Sequence, residues 1–216
     1  MMKTRTCILC LLLAAACGGC TSDQLRYLAY LFSPGSQTET VKAEFPDLPG
    51  HTVAVVIYGG ENVLYEYPYA PLRLSRRIEA ELTEHVKKVK LVDSAAVLKY
   101  QEENIHWDTM DKTELGKLFN ADYVLFVSLM EYTTREPNSV SLCRGRITAE
   151  ASMYQTSLPE PQARVWNTAS ISTVFPEAAP TGLLPSEARR ILDETERRFV
   201  DALVKKFYQH KEEVKL

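Results

Sequence analysis

The sequence predicts an α/β protein of the α+β kind: one mixed sheet in the order β-α-β-α-α-β-β-β-α, with helices mainly on one face, behind a leader and a tether. Three observations predict it. Residues 52–58 (TVAVVIY) and 121–132 (ADYVLFVSLMEY) are apolar on both faces, as strands in the middle of a covered sheet are. Segments of helical period separate the first strands, and such crossovers make parallel neighbours. Residues 140–155 and 163–175 instead alternate apolar with polar, the pattern of antiparallel strands with one wet face.

The first element is a leader. Lys3 and Arg5 precede the uncharged run TCILCLLLAAAC, residues 6–17, and then Gly18-Gly19-Cys20. A basic start, a short apolar stretch and small residues make a secretory signal peptide, residues 1–16. The run is shorter than the ~20 apolar residues a membrane-spanning helix needs. Its cysteines form two Cys-x-x-Cys pairs, Cys7/Cys10 and Cys17/Cys20. Metal and redox readings of these fail on location, because the segment is removed or acylated. Without Lys3 and Arg5 the chain keeps 23 basic and 28 acidic residues, a net charge of −5, against −3 for the whole. That balance, with 45% hydrophobic and 25% charged residues, excludes a disordered chain and a nucleic-acid binder.

Residues 17–50 follow as a tether. Ser22-Asp23 is placed to cap a short helix over residues 24–32, with Leu25, Leu28, Leu31 and Phe32 on one face, suited either to the bilayer interface or to the protein's own domain. Breakers from Ser33 to Gly50 complete the tether, and the 17 residues 33–49 can extend at most ~55 to 60 Å.

The domain is expected over residues 51–210, before a polar tail at 211–216. After the strand at 52–58, residues 72–88 carry Leu74, Ile78, Leu82 and Val86 at helical spacing. A short strand spans 89–93. Ser94 is placed to cap a helix reaching Glu103, and Asp111 with Glu114 makes a capping-box start for 112–119, with Asn120 at its C-terminal end. In residues 140–155, Ile147, Ala149, Ala151 and Met153 face inward. In 163–175, Val165, Ala169 and Ile171 share one side and Arg164, Thr168, Ser170 and Ser172 the other, and Pro159 and Pro161 mark the turn of this hairpin. A long amphipathic helix over residues 186–209 closes the domain.

The segment Leu13-Ala14-Ala15-Ala16-Cys17 resembles the lipobox of bacterial lipoproteins, in which the cysteine is acylated and becomes the new N-terminus. Cys17 is the expected lipidation site and Cys20 the alternative. The element order, with Asn120-Ala121-Asp122-Tyr123-Val124 entering the third strand, resembles the small α/β domain shared by the N-terminal domain of TolB, by CsgG and by LpoB. A Gly usually stands where this chain has Asn120. The resemblance implies an envelope module that binds protein partners or copies of itself without being an enzyme. The propeller of TolB and the pore hairpins of CsgG have no counterpart in the sequence.

The search for chemistry is sparse. His51, His85, His106 and His210 form no His-x-x-x-His pair, and the sequence has neither a Gly-x-Ser-x-Gly elbow nor a phosphate loop. Gly59-Gly60 follows a strand, but the next helix is expected more than ten residues on, too far to cradle phosphate. No cofactor and no metal is expected. Cys143 reads as a core thiol. Asp93, Asp122, Glu131 and Glu150 sit at strand ends or on the wet face. Paired ~5 to 9 Å apart, two of them would support a hydrolase of envelope glycans, the enzyme alternative.

Recognition surfaces remain. Residues 58–69 hold Tyr58, Tyr65, Tyr67 and Tyr69, and tyrosines combine rigid contact area with a polar tip. They follow the C-terminal end of the first strand, where α/β sheets place their sites, so they are read either as a partner surface or as a cover for the sheet end. The second candidate is the wet hairpin face, with Arg144, Arg146, Tyr154 and Trp166. The sequence therefore points to a lipid-anchored envelope protein, on the outer membrane facing the periplasm, that binds a protein partner or itself. Membership of an export or secretion complex is the alternative.

Overall fold

The structure, a computed structural model, describes residues 38–136, 139, 142–177 and 185–213. The signal peptide, Cys17, Cys20 and the helix expected over 24–32 lie outside the described residues. Two strands, β1 (Thr38–Val41) and β7 (His210–Glu213), form a small two-stranded sheet, so the start of the expected polar tail is a strand.

Residues 41–210 make a compact unit around a five-stranded sheet of order β3-β2-β4-β5-β6. β2 (Thr52–Gly59) lies between β3 (Lys90–Leu91) and β4 (Tyr123–Arg135), parallel to both, with Val53 opposite Leu91 and Tyr123. Val53, Ala54, Val55, Val56 and Ile57 are all buried, which explains the unbroken apolar run. β5 (Cys143–Gln155) and β6 (Arg164–Phe175) continue the sheet antiparallel to β4. The mixed α+β class and the element order therefore stand as read, with three short additions: β1, β7 and a helix α1 (Glu61–Glu66).

The two longest helices share one face. α2 (Ala70–His85) and α5 (Ala188–Val204) bury Leu74, Ile78, Leu82, Phe199 and Leu203 in the larger core, together with Val53, Val55, Ile57 and Leu125 of the sheet. The opposite face is not bare. α3 (Ser94–Glu103) and α4 (Lys112–Leu118) cover it through Val97 and Leu115, which pack on Ala54, Val56 and Val124. Helices thus lie on both faces, because the even-numbered residues of β2 are as apolar as the odd ones. The larger core also takes in Phe45 and Leu48, so packing begins several residues before the expected boundary at 51. Short apolar islands in a polar tether give no period from which to read this.

The caps correct two details. Asp93, not Ser94, caps α3, accepting the Ala95 N–H at 3.0 Å, while the Ser94 hydroxyl donates to Glu79 Oε2 at 2.7 Å. Burial raises the Glu79 carboxyl above its usual range. Asp111 is the N-cap of α4 but its side chain makes no capping bond. Asn120 has φ 52°, the left-handed conformation that ends a helix and that Gly or Asn tolerates best. Asp122, two residues on, accepts the Thr52 N–H at 2.8 Å, and its own N–H donates to Thr52 O at 2.8 Å, tying the start of β4 to the start of β2. The Asn-Ala-Asp-Tyr-Val segment is therefore a folding device.

On β6 a bulge changes which side chains face inward. Ala149 opposes Ile171, but Ala151 opposes Thr168, so Ala169 and Ser170 together span one step of the ladder. Inward positions shift from odd to even numbers across it. Val165 and Ala169, expected inside, are exposed, and Trp166, expected on the wet face, packs on the core. The last helix also stops earlier than expected, passing through a short 3-10 turn at Lys205–Phe207 before β7.

Candidate functional site

Among the described residues, a cleft of about 550 Å³ opens at the C-terminal end of β2. Ile57, Tyr58 and Gly59 form one wall as the strand ends, and α1 starts at once, placing Glu61 and Leu64 on the rim. Pro68 and Pro71, at the entry to α2, stiffen a second side. Leu98, Gln101 and Glu102 of α3 face them, and Ile105, Trp107 and Asp108 close the far end. The Gln101 amide donates to Ile57 O at 3.2 Å, which joins α3 to the end of the strand.

The floor is aromatic. Tyr58 lies 6.0 Å from Trp107 and 6.5 Å from Phe126, ring centroid to centroid. Lys112 sits 4.6 Å over the Phe126 ring and donates to Asp108 O at 2.7 Å and Met110 O at 3.0 Å. Burial lowers its pKa. The charged residues that line the cleft are Glu61, Glu102 and Asp108, all acidic. Leu64 is 40% exposed and Ile105 85% exposed, so apolar side chains stand at both lips. Tyr65 and Tyr69, 90% and 70% exposed, stand on α1 and at the cap of α2.

The four tyrosines of residues 58–69 thus divide. Tyr58 is part of the cleft wall, and Tyr65 and Tyr69 are open to solvent. Tyr67 turns inward, its ring 5.0 Å from Tyr132 and its hydroxyl accepting the Thr134 N–H at 3.2 Å. A helix begins immediately after Gly60, contrary to the expectation of a long loop; at six residues it is too short to build an anion site.

The hairpin surface is not assembled. Arg144 donates to Pro176 O and Glu177 O, and Arg146 bonds Glu131 and Arg135 O. Tyr154 packs under α3 and α4, while Trp166 faces the other side, 5.0 Å from Phe207. Three of the four acids at strand ends or on the wet face are similarly engaged, while Glu150 is exposed: Asp93 caps α3, Asp122 holds Thr52, and Glu131 pairs with Arg146 at 2.7 Å. Cys143 is half-buried and has a free thiol.

Among the described residues, Glu81, Glu84 and His85 are close enough together to hold a cation, but His85 is already stacked on Tyr208 at 4.4 Å. A second cavity, of about 430 Å³, lies at the opposite end of β2 between His51, Lys117, Asp122 and Thr156. Sequence reading missed Leu64, Leu98, Ile105 and Trp107. The available signal was Ile105 and Trp107 standing alone in the polar run of residues 101–109.

No protein-family model matches the chain, and no curated protein matches it. Among solved structures, a dodecamer of a PelC variant from Paraburkholderia phytofirmans aligns at 13% identity and a TM-score of 0.47, over 80% of this chain and 97% of that one. The lipoprotein GNA1162 from Neisseria meningitidis aligns at 15% identity and 0.38, over 70% and 99%. CT253 from Chlamydia trachomatis aligns at 12% and 0.39, over 72% and 96%. Likenesses this distant assign no family, and the resemblance to TolB, CsgG and LpoB rests on the element order and residues 120–124 alone.

Proposed function

We propose that this chain is a lipid-anchored protein of the bacterial envelope, held at the outer membrane and facing the periplasm, that docks a protein partner without catalysing a reaction. The carrying observation is the β2 cleft, with an aromatic floor, apolar lips and an acidic lining. A complementary occupant is a polypeptide segment with a large apolar anchor flanked by Lys or Arg. The anchor enters between Leu64 and Ile105, and its cationic neighbours meet Glu61, Glu102 and Asp108. The lipobox supports the membrane placement: a mature charge of −5 gives no attraction to an anionic bilayer, so acyl chains supply the hold at about 0.8 kcal/mol per buried methylene. The engaged strand-end carboxylates support the non-enzymatic reading.

Anchoring is tested by labelled fatty acid. Cys17→Ala is expected to abolish incorporation, and loss with Cys20→Ala alone would move the site. Docking is tested by selecting a random peptide library on the detergent-solubilised full-length protein. Enriched peptides are expected to place Leu, Ile or Phe beside Lys or Arg. Burying a large aliphatic side chain contributes about 1.5–3 kcal/mol, so L64E/I105E is expected to weaken the best of them roughly 100-fold or more. Added salt is expected to weaken them too. Enrichment of acidic peptides, no enrichment, or binding that ignores the substitutions would overturn the docking site.

A further inference from the structure

The two margins of the five-stranded sheet are unlike. β3 is two residues long and carries Lys90, which is how sheet edges are protected from stray pairing. β6 is twelve residues long, has no Pro, and bears a single charge, Arg164, at its start. Among the described residues no hydrogen bond reaches its outward main-chain groups. A long, nearly uncharged, unpaired edge is a template for another strand.

We infer that β6 is a self-association edge, pairing antiparallel with β6 of a second copy about a two-fold axis. The bulge at Ala169 and Ser170 marks where the axis falls, since it lies at the midpoint of residues 164–175. Pairing about that midpoint sets Trp166 opposite Thr173 and Thr168 opposite Ile171. All four oppose core-facing residues of β5: Met153, Ile147, Ala151 and Ala149. It also sets Asn167 opposite Ser172, and these oppose the outward positions Ser152 and Thr148. From Trp166 to Thr173 inward residues therefore meet inward ones and outward meet outward, as a continuous sheet requires; a second irregularity at Val165 ends the matched stretch there. Without the central bulge the same two-fold register would set inward residues against outward ones.

The unlike margins fix the stoichiometry. Head-to-tail growth needs β6 to land on β3, and two residues cannot receive twelve. Pairing then closes at two copies, giving a ten-stranded sheet through a self-complementary interface. The inference is independent of the cleft, which is built from other elements.

Analytical ultracentrifugation of the detergent-solubilised full-length protein at micromolar concentration is the test, and a dimer is expected. A169K/S170K sets four lysines around the axis at exposed positions and is expected to leave monomer with an unchanged circular dichroism spectrum. Mixing N167C chains with S172C chains and adding a short thiol crosslinker is expected to link unlike copies. Wild-type and N167C alone serve as controls, and the linked peptides are identified by mass spectrometry. If A169K/S170K fails to fold, this crosslink still decides. A monomeric wild type, an oligomer unmoved by the lysines, or absence of the 167–172 link would overturn the inference.

Discussion

Glu196→Ala is expected to lower the unfolding free energy by about 3–5 kcal/mol, because it removes the centre of a buried ionic network. Glu196 is fully buried on the inner face of α5. Its Oε2 accepts from Arg73 at 2.8 Å and lies 3.1 Å from Arg77 Nε, and its Oε1 accepts the Tyr132 hydroxyl. Burial, together with the adjacent carboxylate, raises the Tyr132 pKa, so the phenol stays protonated and serves as donor. The carboxylate thereby joins α2, α5 and the distal half of β4. Truncation leaves the half-buried Arg73 guanidinium and the buried Tyr132 hydroxyl without their acceptor, while Arg77 keeps Asp193, and the cost is that of the stranded groups more than of the lost attraction. Urea unfolding gives the measurement, and the melting temperature should fall by roughly 6–20 °C for a unit of this size. Tyr132→Phe deletes one donor and is expected to cost less, about 1–3 kcal/mol. Replacing Glu196, Arg73, Arg77 and Tyr132 together by apolar residues is expected to recover most of the loss. A loss below about 1 kcal/mol for Glu196→Ala would show that the network contributes little.

Gly145→Val is expected to destabilise by about 3 kcal/mol, the upper part of the range for overpacked sites. A Cβ at Gly145 would lie 1.9 Å from Thr195 Oγ1, 2.9 Å from Thr195 Cβ and 3.1 Å from Ile191 Cγ2. Thr195 cannot swing aside cheaply, because it is fully buried and its hydroxyl donates to Ile191 O at 2.6 Å. The helix axis must therefore move away from β5, loosening Phe199 and Leu203 behind it. Gly145→Ala should cost less, and adding Thr195→Ala should restore part of it, since the 1.9 Å clash goes while the Cβ and Ile191 contacts remain. A double-mutant cycle measures that coupling, expected at about 1 kcal/mol or more for residues in direct contact. Strictly additive losses would mean that α5 does not approach β5 as closely as described.

Both positions show where sequence reading stops. Glu196 falls on the apolar face of a strongly charged helix, four residues after Leu192 and three before Phe199, but the period alone does not show that a carboxylate can be buried there. Its depth follows from Arg73 and Arg77, more than a hundred residues away in the chain. Gly145 reads as a weak point in a strand until the helix crossing it is known. Tyr67 and Trp166 had the composition of recognition residues, yet burial turned both inward. In Trp166 the cause is a single extra residue in the ladder, which reverses the facing of everything beyond it.

The sequence by itself determined the parallel strands, the antiparallel hairpin and the amphipathic period of α2 and α5. These are local signals, carried by hydropathy at spacings of two or 3.6 residues. Only the tertiary structure decided that helices cover both faces, that Asp122 and Asn120 serve folding, and that the cleft is lined by Leu64, Leu98, Ile105 and Trp107. Those residues come from three separate stretches of chain, and side chains distant in sequence become neighbours only when the sheet brings the end of β2 beside α3. Chain order carries no record of that proximity.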